Sequence, residues 1–479
     1  MIRCSRLPRA LAATSAVALL AACGAVAVPT SAPEQAISSE ALRRAVDPAG
    51  IGVHLDALQA IADTNDRTRA AGTPGYDASA DYVAEQLEAA GVTVSRHEID
   101  LPFFIEEQPV RLSVDGGEEW VGDQWLHALL YSASGTVSGP LVTVGIAADG
   151  DPDGGSGCDA SDWADVEPGD VALVRSGPCL RRDQVMHAQG AGAAAMIAGY
   201  PSWGPNETRR PTLISPEGIE IPVVAVGRAP TEALFEAPLG ATVRLEVATR
   251  VEDRSSASVV AELAGRTQEV VMLGGHLDSV LDGPGINDNG SGVATILEVA
   301  RALTAGPQPE RTVRFGFWTS EEFGLLGSTA YVDSLTEDEQ ARVLAYINLD
   351  MLGSPNSGRY VYNEPGAASG SDTLASLFLD YLDAADTPGL PLDLHGASDH
   401  GPFQRAGIAT GGLFSGASEP MPVEDAAVFG GIASEAMDAC YHLACDTVDR
   451  INDMALGQLG DALAHAVAEL VSGRVDLER

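Results

Sequence analysis

From Ser258 onward, apolar residues fall into short unbroken runs separated by segments of helical period. This alternation predicts an α/β fold, a mixed, mainly parallel sheet with helices on both faces. Val270-Val271-Met272-Leu273 is a continuous apolar run, as a strand buried on both faces requires. Val293, Ile296, Leu297, Ala300 and Leu303 recur at helical spacing, and Gly306 closes the stripe. Val313, Phe315 and Phe317 alternate, and residues 345–349 and 411–414 are further strand candidates. Upstream, residues 77–90 read as a helix. Pro74 and Gly75 precede it, Asp77 can cap it and Gly91 can end it, with Val83, Leu87 and Ala90 on one face. Val92, Val94 and Ile99 then suggest a strand.

The texture changes near Ser132. Gly, Asp and Pro become dense, above all over 149–157, between β-branched runs such as Leu141-Val142-Thr143-Val144 and Val171-Ala172-Leu173-Val174. Residues 184–192 look helical, and 193–198 and 221–226 look like buried strands. A small β-rich module over 132–245 is thus expected, inserted between the two parts, 49–131 and 246–479, of a larger domain. Gly169-Asp170-Val171-Ala172-Leu173-Val174-Arg175-Ser176-Gly177-Pro178-Cys179, with the Ala-Gly-Ala run at Ala191 to Ala193, resembles the protease-associated (PA) domain. That resemblance implies a non-catalytic module over or beside an active site.

A chain of 479 residues exceeds what one core usually holds. With 28 Lys+Arg against 68 Asp+Glu, its net charge of -40 argues against a nucleic-acid partner. Arg3, Arg6 and Arg9 precede an apolar stretch, residues 11–22, too short to span a bilayer as a mature helix. It ends in Leu20-Ala21-Ala22-Cys23, which resembles the lipobox of bacterial lipoproteins. The expectation is a signal peptide over 1–22, lipidation of Cys23 as a membrane anchor and a flexible tether over 23–48. An ordinary secretory signal is the alternative, and either means export. Cys4 and Cys23 belong to that segment. The remaining Cys158, Cys179, Cys440 and Cys445 suit two disulfides in an oxidising compartment, and 158–179 with 440–445 is the simplest of three pairings.

Candidate chemistry collects at the carboxyl ends of the predicted strands, where open parallel sheets form sites. His276 and Asp278 follow the first buried run, and Asp288 lies in the Gly-rich loop 283–292. Glu321 and Glu322 follow the Phe315–Trp318 run, Asp350 follows Leu349, and His442 lies between Cys440 and Cys445. Each residue alone has an ordinary role as cap, turn former or solvated charge. Together, two imidazoles and several carboxylates form a borderline-hard ligand set suited to zinc. The residues alone leave open which of Glu321 and Glu322 would be a base.

The ordered motifs are the segment 276–292, Thr319-Ser320-Glu321-Glu322-Phe323-Gly324-Leu325-Leu326-Gly327-Ser328, Asn348-Leu349-Asp350-Met351, Ser398-Asp399-His400-Gly401-Pro402-Phe403, and Cys440-Tyr441-His442 with Cys445-Asp446-Thr447. They resemble the zinc aminopeptidases of the bacterial leucyl-aminopeptidase type, metallopeptidase family twenty-eight. The resemblance implies that family's three-layer fold and two zinc ions sharing a hydroxide. Asp288 would bridge the ions, His276 and Asp350 would complete one site, and Glu322 and His442 the other. Glu321 would be the general base, Asp278 would orient His276 through its other ring N–H, and Tyr441 would stabilise the oxyanion. A cis peptide is implied at Asp288–Asn289. The implied substrates are peptides with a free, apolar N-terminal residue. A carboxypeptidase or single-zinc glutaminyl cyclase on the same scaffold, or a non-catalytic receptor, are the alternatives. Relatives often carry an Arg where this chain has Ala397. His395, Asp399 and His400 are expected to back the site or pack, and His465 to be structural.

Overall fold

Alternation along the central strand sorts its side chains into two apolar layers. Val271 and Leu273 of the strand Val270–His276 join one core cluster, Val270 and Met272 another. The first layer packs against the helices Pro48–Thr64, Pro74–Ala89, Gly292–Thr304 and Asp453–Val471. The second takes Tyr331 of the helix Leu326–Ser334 and Phe403 of the helix His400–Arg405. A computed structural model describes residues 37–477 except 118, 123, 146–156, 176–178, 201–206 and 239. The signal segment, Cys23 and residues 23–36 of the tether lie outside the described residues.

Thr312–Trp318 and Val343–Leu349 flank the central strand in parallel, and Thr410–Phe414 continues the parallel set beyond Val343–Leu349. On the other side of Thr312–Trp318, the strand Thr242–Leu263 runs antiparallel. Thr93–Val114 pairs along nearly all of that long strand, from Thr93 opposite Glu262 to Val114 opposite Val243. Beyond it the sheet continues into the inserted module. Gly135–Val144 pairs antiparallel with Thr242–Leu263, and Val171–Arg175, Ala195–Gly199 and Val223–Val226 follow in parallel. The module boundary expected at residue 245 therefore falls inside one strand. Cys158–Cys179 and Cys440–Cys445 are the disulfides.

Two expectations need correction. The helix placed at 77–90 is Pro74–Ala89, because the Thr73 side chain, not Asp77, accepts the first-turn N–H of Tyr76. Pro74 sits in the first turn, where its missing N–H costs nothing. The tether does not run to residue 48. Ser39–Ala45 is a helix capped by Ser38 with Leu42 buried. Ser39 Oγ meets His465 Nδ1 at 2.8 Å on the last helix, where the His465 ring stacks on Tyr381.

Candidate metal centre

The carboxyl ends of three adjacent parallel strands present His276, Glu321, Glu322 and Asp350 side by side. The strands approach closely at Gly275, where a Cβ would strike the Leu349 carbonyl. Asp288 comes from the loop that opens the helix Gly292–Thr304, and its peptide bond to Asn289 is cis. Gly285 in that loop has φ +61°, a conformation that favours glycine. His442 stands in the short loop closed by the Cys440–Cys445 bridge.

The two carboxylate oxygens of Asp288 face different imidazoles. Oδ1 lies 3.2 Å from His276 Nε2, and Oδ2 lies 3.1 Å from His442 Nε2. His276 Nε2 is also 3.4 Å from Asp350 Oδ1, and His442 Nε2 is 3.1 Å from Glu322 Oε2. Two ligand groups result, His276 with Asp288 and Asp350, and Asp288 with Glu322 and His442. A further grouping unites His276, Glu321 and Glu322. Asp288 Oδ2, Glu322 Oε1 and Asp350 Oδ1 are buried and accept no hydrogen bond. Buried acceptors without donors are costly unless a cation meets them. The donor set, His nitrogen and carboxylate oxygen, fits zinc.

The electrostatics point the same way. Burial alone would lower the His442 pKa, but the charges of Glu322 and Asp288 raise it to about 10. Burial, with the charge of Glu322 adding to it, holds the Glu321 carboxyl well above its usual range. Asp278 rises to about 7 through burial. So dense a cluster of buried carboxylates draws positive charge to itself.

The supporting contacts differ in part from expectation. The ring N–H at His276 Nδ1 donates to the main-chain carbonyl of Asp278 at 3.0 Å, while the carboxylate is 3.9 Å away. That carboxylate instead accepts the backbone N–H groups of Glu321 at 3.1 Å and Glu322 at 3.4 Å. Asp278 thus meets the imidazole through its main-chain carbonyl and the two glutamates through its carboxylate. Tyr441 stacks on the His442 ring, with centroids 3.8 Å apart. His400 is buried against Glu364 at 2.6 Å, Asp399 is buried, and His395 is exposed beside Asp393. None of the three joins a ligand group among the described residues.

Four residues went unread in the sequence. Asp446 accepts the backbone N–H groups of Asn287 at 2.7 Å and Asp288 at 3.0 Å, and so fixes the chain that presents the Asp288 carboxylate. Ser398 donates to Asp350 Oδ2 at 2.8 Å. Both stand inside quoted motifs, which was the available signal. Arg69 donates to the carbonyls of Leu277, Pro284 and Gly285, in the chain between His276 and Asp288. Arg209, from the inserted module, donates to the Tyr441 carbonyl at 2.9 Å. These two bind main-chain oxygen, which no side-chain pattern announces.

Residues 258–467 match the family described as Peptidase family M28, and residues 137–234 match the PA domain. A protein of Mycobacterium tuberculosis named "Probable lipoprotein aminopeptidase LpqL" is 37% identical over 98% of this chain and 95% of its own. A protein of Pseudomonas aeruginosa named "Aminopeptidase" is 36% identical over 90% of this chain and 82% of its own. Among solved structures, BSAP, a zinc aminopeptidase from Bacillus subtilis, superposes with a TM-score of 0.68 at 26% identity, covering 90% of this chain and 97% of that one. Motif order, sheet topology and near full-length similarity agree: the chain belongs to peptidase family M28, with a PA domain inserted in the peptidase fold.

Proposed function

We propose that this protein is an exported metallo-aminopeptidase that removes apolar residues from peptide N-termini with two zinc ions. The observation that carries the reading is Asp288, whose two oxygens turn to separate imidazoles, each flanked by one more carboxylate. His276 and Asp350 would hold one ion, Glu322 and His442 the other, and Asp288 both. Zinc bound there supplies Lewis acidity, polarising the scissile carbonyl and making water acidic enough to attack near neutral pH. The Glu321 carboxylate takes the proton of the attacking water and gives it to the leaving amine. Asp278 keeps Glu321 and Glu322 in place through their backbone N–H groups. The Tyr441 hydroxyl donates to the oxyanion.

A cavity of about 460 Å³ opens from the centre, walled by Met351, Leu392, Leu394, Phe414 and Met437. Its apolar wall supports acceptance of an apolar N-terminal side chain. The name of the mycobacterial relative supports anchoring through Cys23. Replacing Cys23 by Ala should then release the protein from the membrane fraction.

Turnover of leucine p-nitroanilide, together with metal analysis, tests the reading. Glu321→Gln should keep both zinc ions and lose about 100- to 10,000-fold in kcat. Glu322→Gln should lose zinc. The opposite pattern would reverse the two glutamates. One zinc per chain without turnover of leucine p-nitroanilide would favour the cyclase chemistry, and cleavage of N-acetylated peptides a carboxypeptidase.

A further inference from the structure

A second, larger cavity leaves the same centre in another direction. It measures about 750 Å³ and shares Glu321, Glu322, Tyr441 and His442 with the apolar one. Its far side is built partly by the PA domain, through residues such as Tyr200 and Ile214. The charges of the two spaces differ. Among the described residues no arginine lines the apolar cavity, whose rim carries Glu419 and Asp425. The larger one is lined by Arg181, Arg209 and Arg405, in a chain of net charge -40.

Two of these guanidinium groups are engaged. Arg181 donates to the Tyr200 hydroxyl at 2.9 Å and to Gln184 at 2.7 Å. Arg209 holds the Tyr441 carbonyl. Arg405 is exposed at the end of the helix His400–Arg405 and makes no hydrogen bond or ion pair among the described residues. Its guanidinium lies over Gly401, where a Cβ would come within 3.2 Å of Nη1. The small Ala397 lines the same space. An unengaged, planar, forked donor in a groove that starts at the reacting centre is suited to a carboxylate.

Resting on the aminopeptidase reading above, we propose that this groove receives the leaving portion of the substrate. In it, Arg405 pairs with the terminal α-carboxylate of short peptides. The peptide's own polarity then fits the protein's. Its N-terminal residue lies in the apolar cavity with the acidic rim, its carboxylate in the groove with the arginines. The substrate class is oligopeptides of a few residues with a free carboxyl end, rather than the N-termini of long chains.

The test compares each of Leu-Gly, Leu-Gly-Gly and Leu-Gly-Gly-Gly as the free acid with its C-terminal amide, on the zinc-loaded enzyme. For at least one length, kcat/KM for the acid should exceed that for the amide by about three- to tenfold, mainly through KM. The gap should narrow as salt is raised, because the pair is exposed. In Arg405→Gln the ratio should fall to about one, and Arg405→Lys should restore part of it. A ratio taken within one variant is unmoved by a general loss of active protein. Equal rates on acid and amide at every length, or a preference that survives Arg405→Gln, would overturn the proposal. Leucine p-nitroanilide has no carboxylate. If the wild-type enzyme fails on it, the peptidase reading falls, and this subsite with it.

Discussion

Replacing Arg69 by Met should destabilise the zinc-free protein by about 2–4 kcal/mol. Arg69 is fully buried. Nε donates to Pro284 at 2.9 Å, Nη1 to Leu277 at 2.5 Å and Nη2 to Gly285 at 2.6 Å. Burial lowers its pKa to about 10, so it remains charged at neutral pH. The Gly285 carbonyl keeps the Gly290 N–H at 3.0 Å, so two buried carbonyls, of Leu277 and Pro284, lose their donor, at about 1–3 kcal/mol each, or roughly 2–6 kcal/mol together. Removing the guanidinium returns part of the several kcal/mol that burying it cost, so the net loss lies near the lower half of that range. That is a large share of the roughly 5–15 kcal/mol that holds a domain folded. Urea unfolding followed by tryptophan fluorescence reads it as a fall in midpoint at constant slope. Arg69→Lys, with a point charge in place of a fork, should lose less. A Met variant within about 1 kcal/mol of wild type would refute the reasoning, because the Leu277 and Pro284 carbonyls would then be satisfied without Arg69.

Replacing both Cys440 and Cys445 by Ser frees a short loop. The entropy of closing it is worth about 2 kcal/mol. Chelator competition should show weaker zinc binding as well, since His442 and Tyr441 lie inside that loop. For Glu364, burial would raise the pKa, but the hydrogen bond and charge of His400 hold it at about 2. A carboxylate depressed in the folded state stabilises fully above its unfolded value of about 4.3, and that contribution, at most about 3 kcal/mol, fades as pH falls toward 2. Unfolding midpoints at pH 7 and pH 3 should therefore differ more in wild type than in Glu364→Gln.

The parts of this molecule that were legible in the sequence are those that leave a periodic or an ordered trace. The run Val270-Val271-Met272-Leu273 marks a strand covered on both faces because both of its faces lie in apolar layers. His276, Asp288, Glu321, Glu322, Asp350 and His442 could be named because each follows a buried run or stands in an ordered motif. Their grouping, with Asp288 between two imidazoles, was implied by the family resemblance alone; spacing along the chain carries no trace of it. Asp278 meets the His276 ring as expected of it, but through its main-chain carbonyl, while its carboxylate serves Glu321 and Glu322. A carboxylate two residues after a ligand histidine can reach either the ring or a neighbouring strand's end, and chain spacing does not distinguish them. Thr73 took the cap from Asp77 because Pro74 is compatible with the first turn of a helix. The early helix Ser39–Ala45 lay in Ala/Ser-rich sequence and depends on the final helix, 420 or so residues away, for its packing.

The two long strands Thr93–Val114 and Thr242–Leu263 belong to both bodies at once. The module that flanks the reactive centre is therefore mounted on a beam rather than strung on a leash. Swinging it aside would mean tearing ladder hydrogen bonds, so the hold of Arg209 on the Tyr441 carbonyl is braced by paired backbone and not by a hinge.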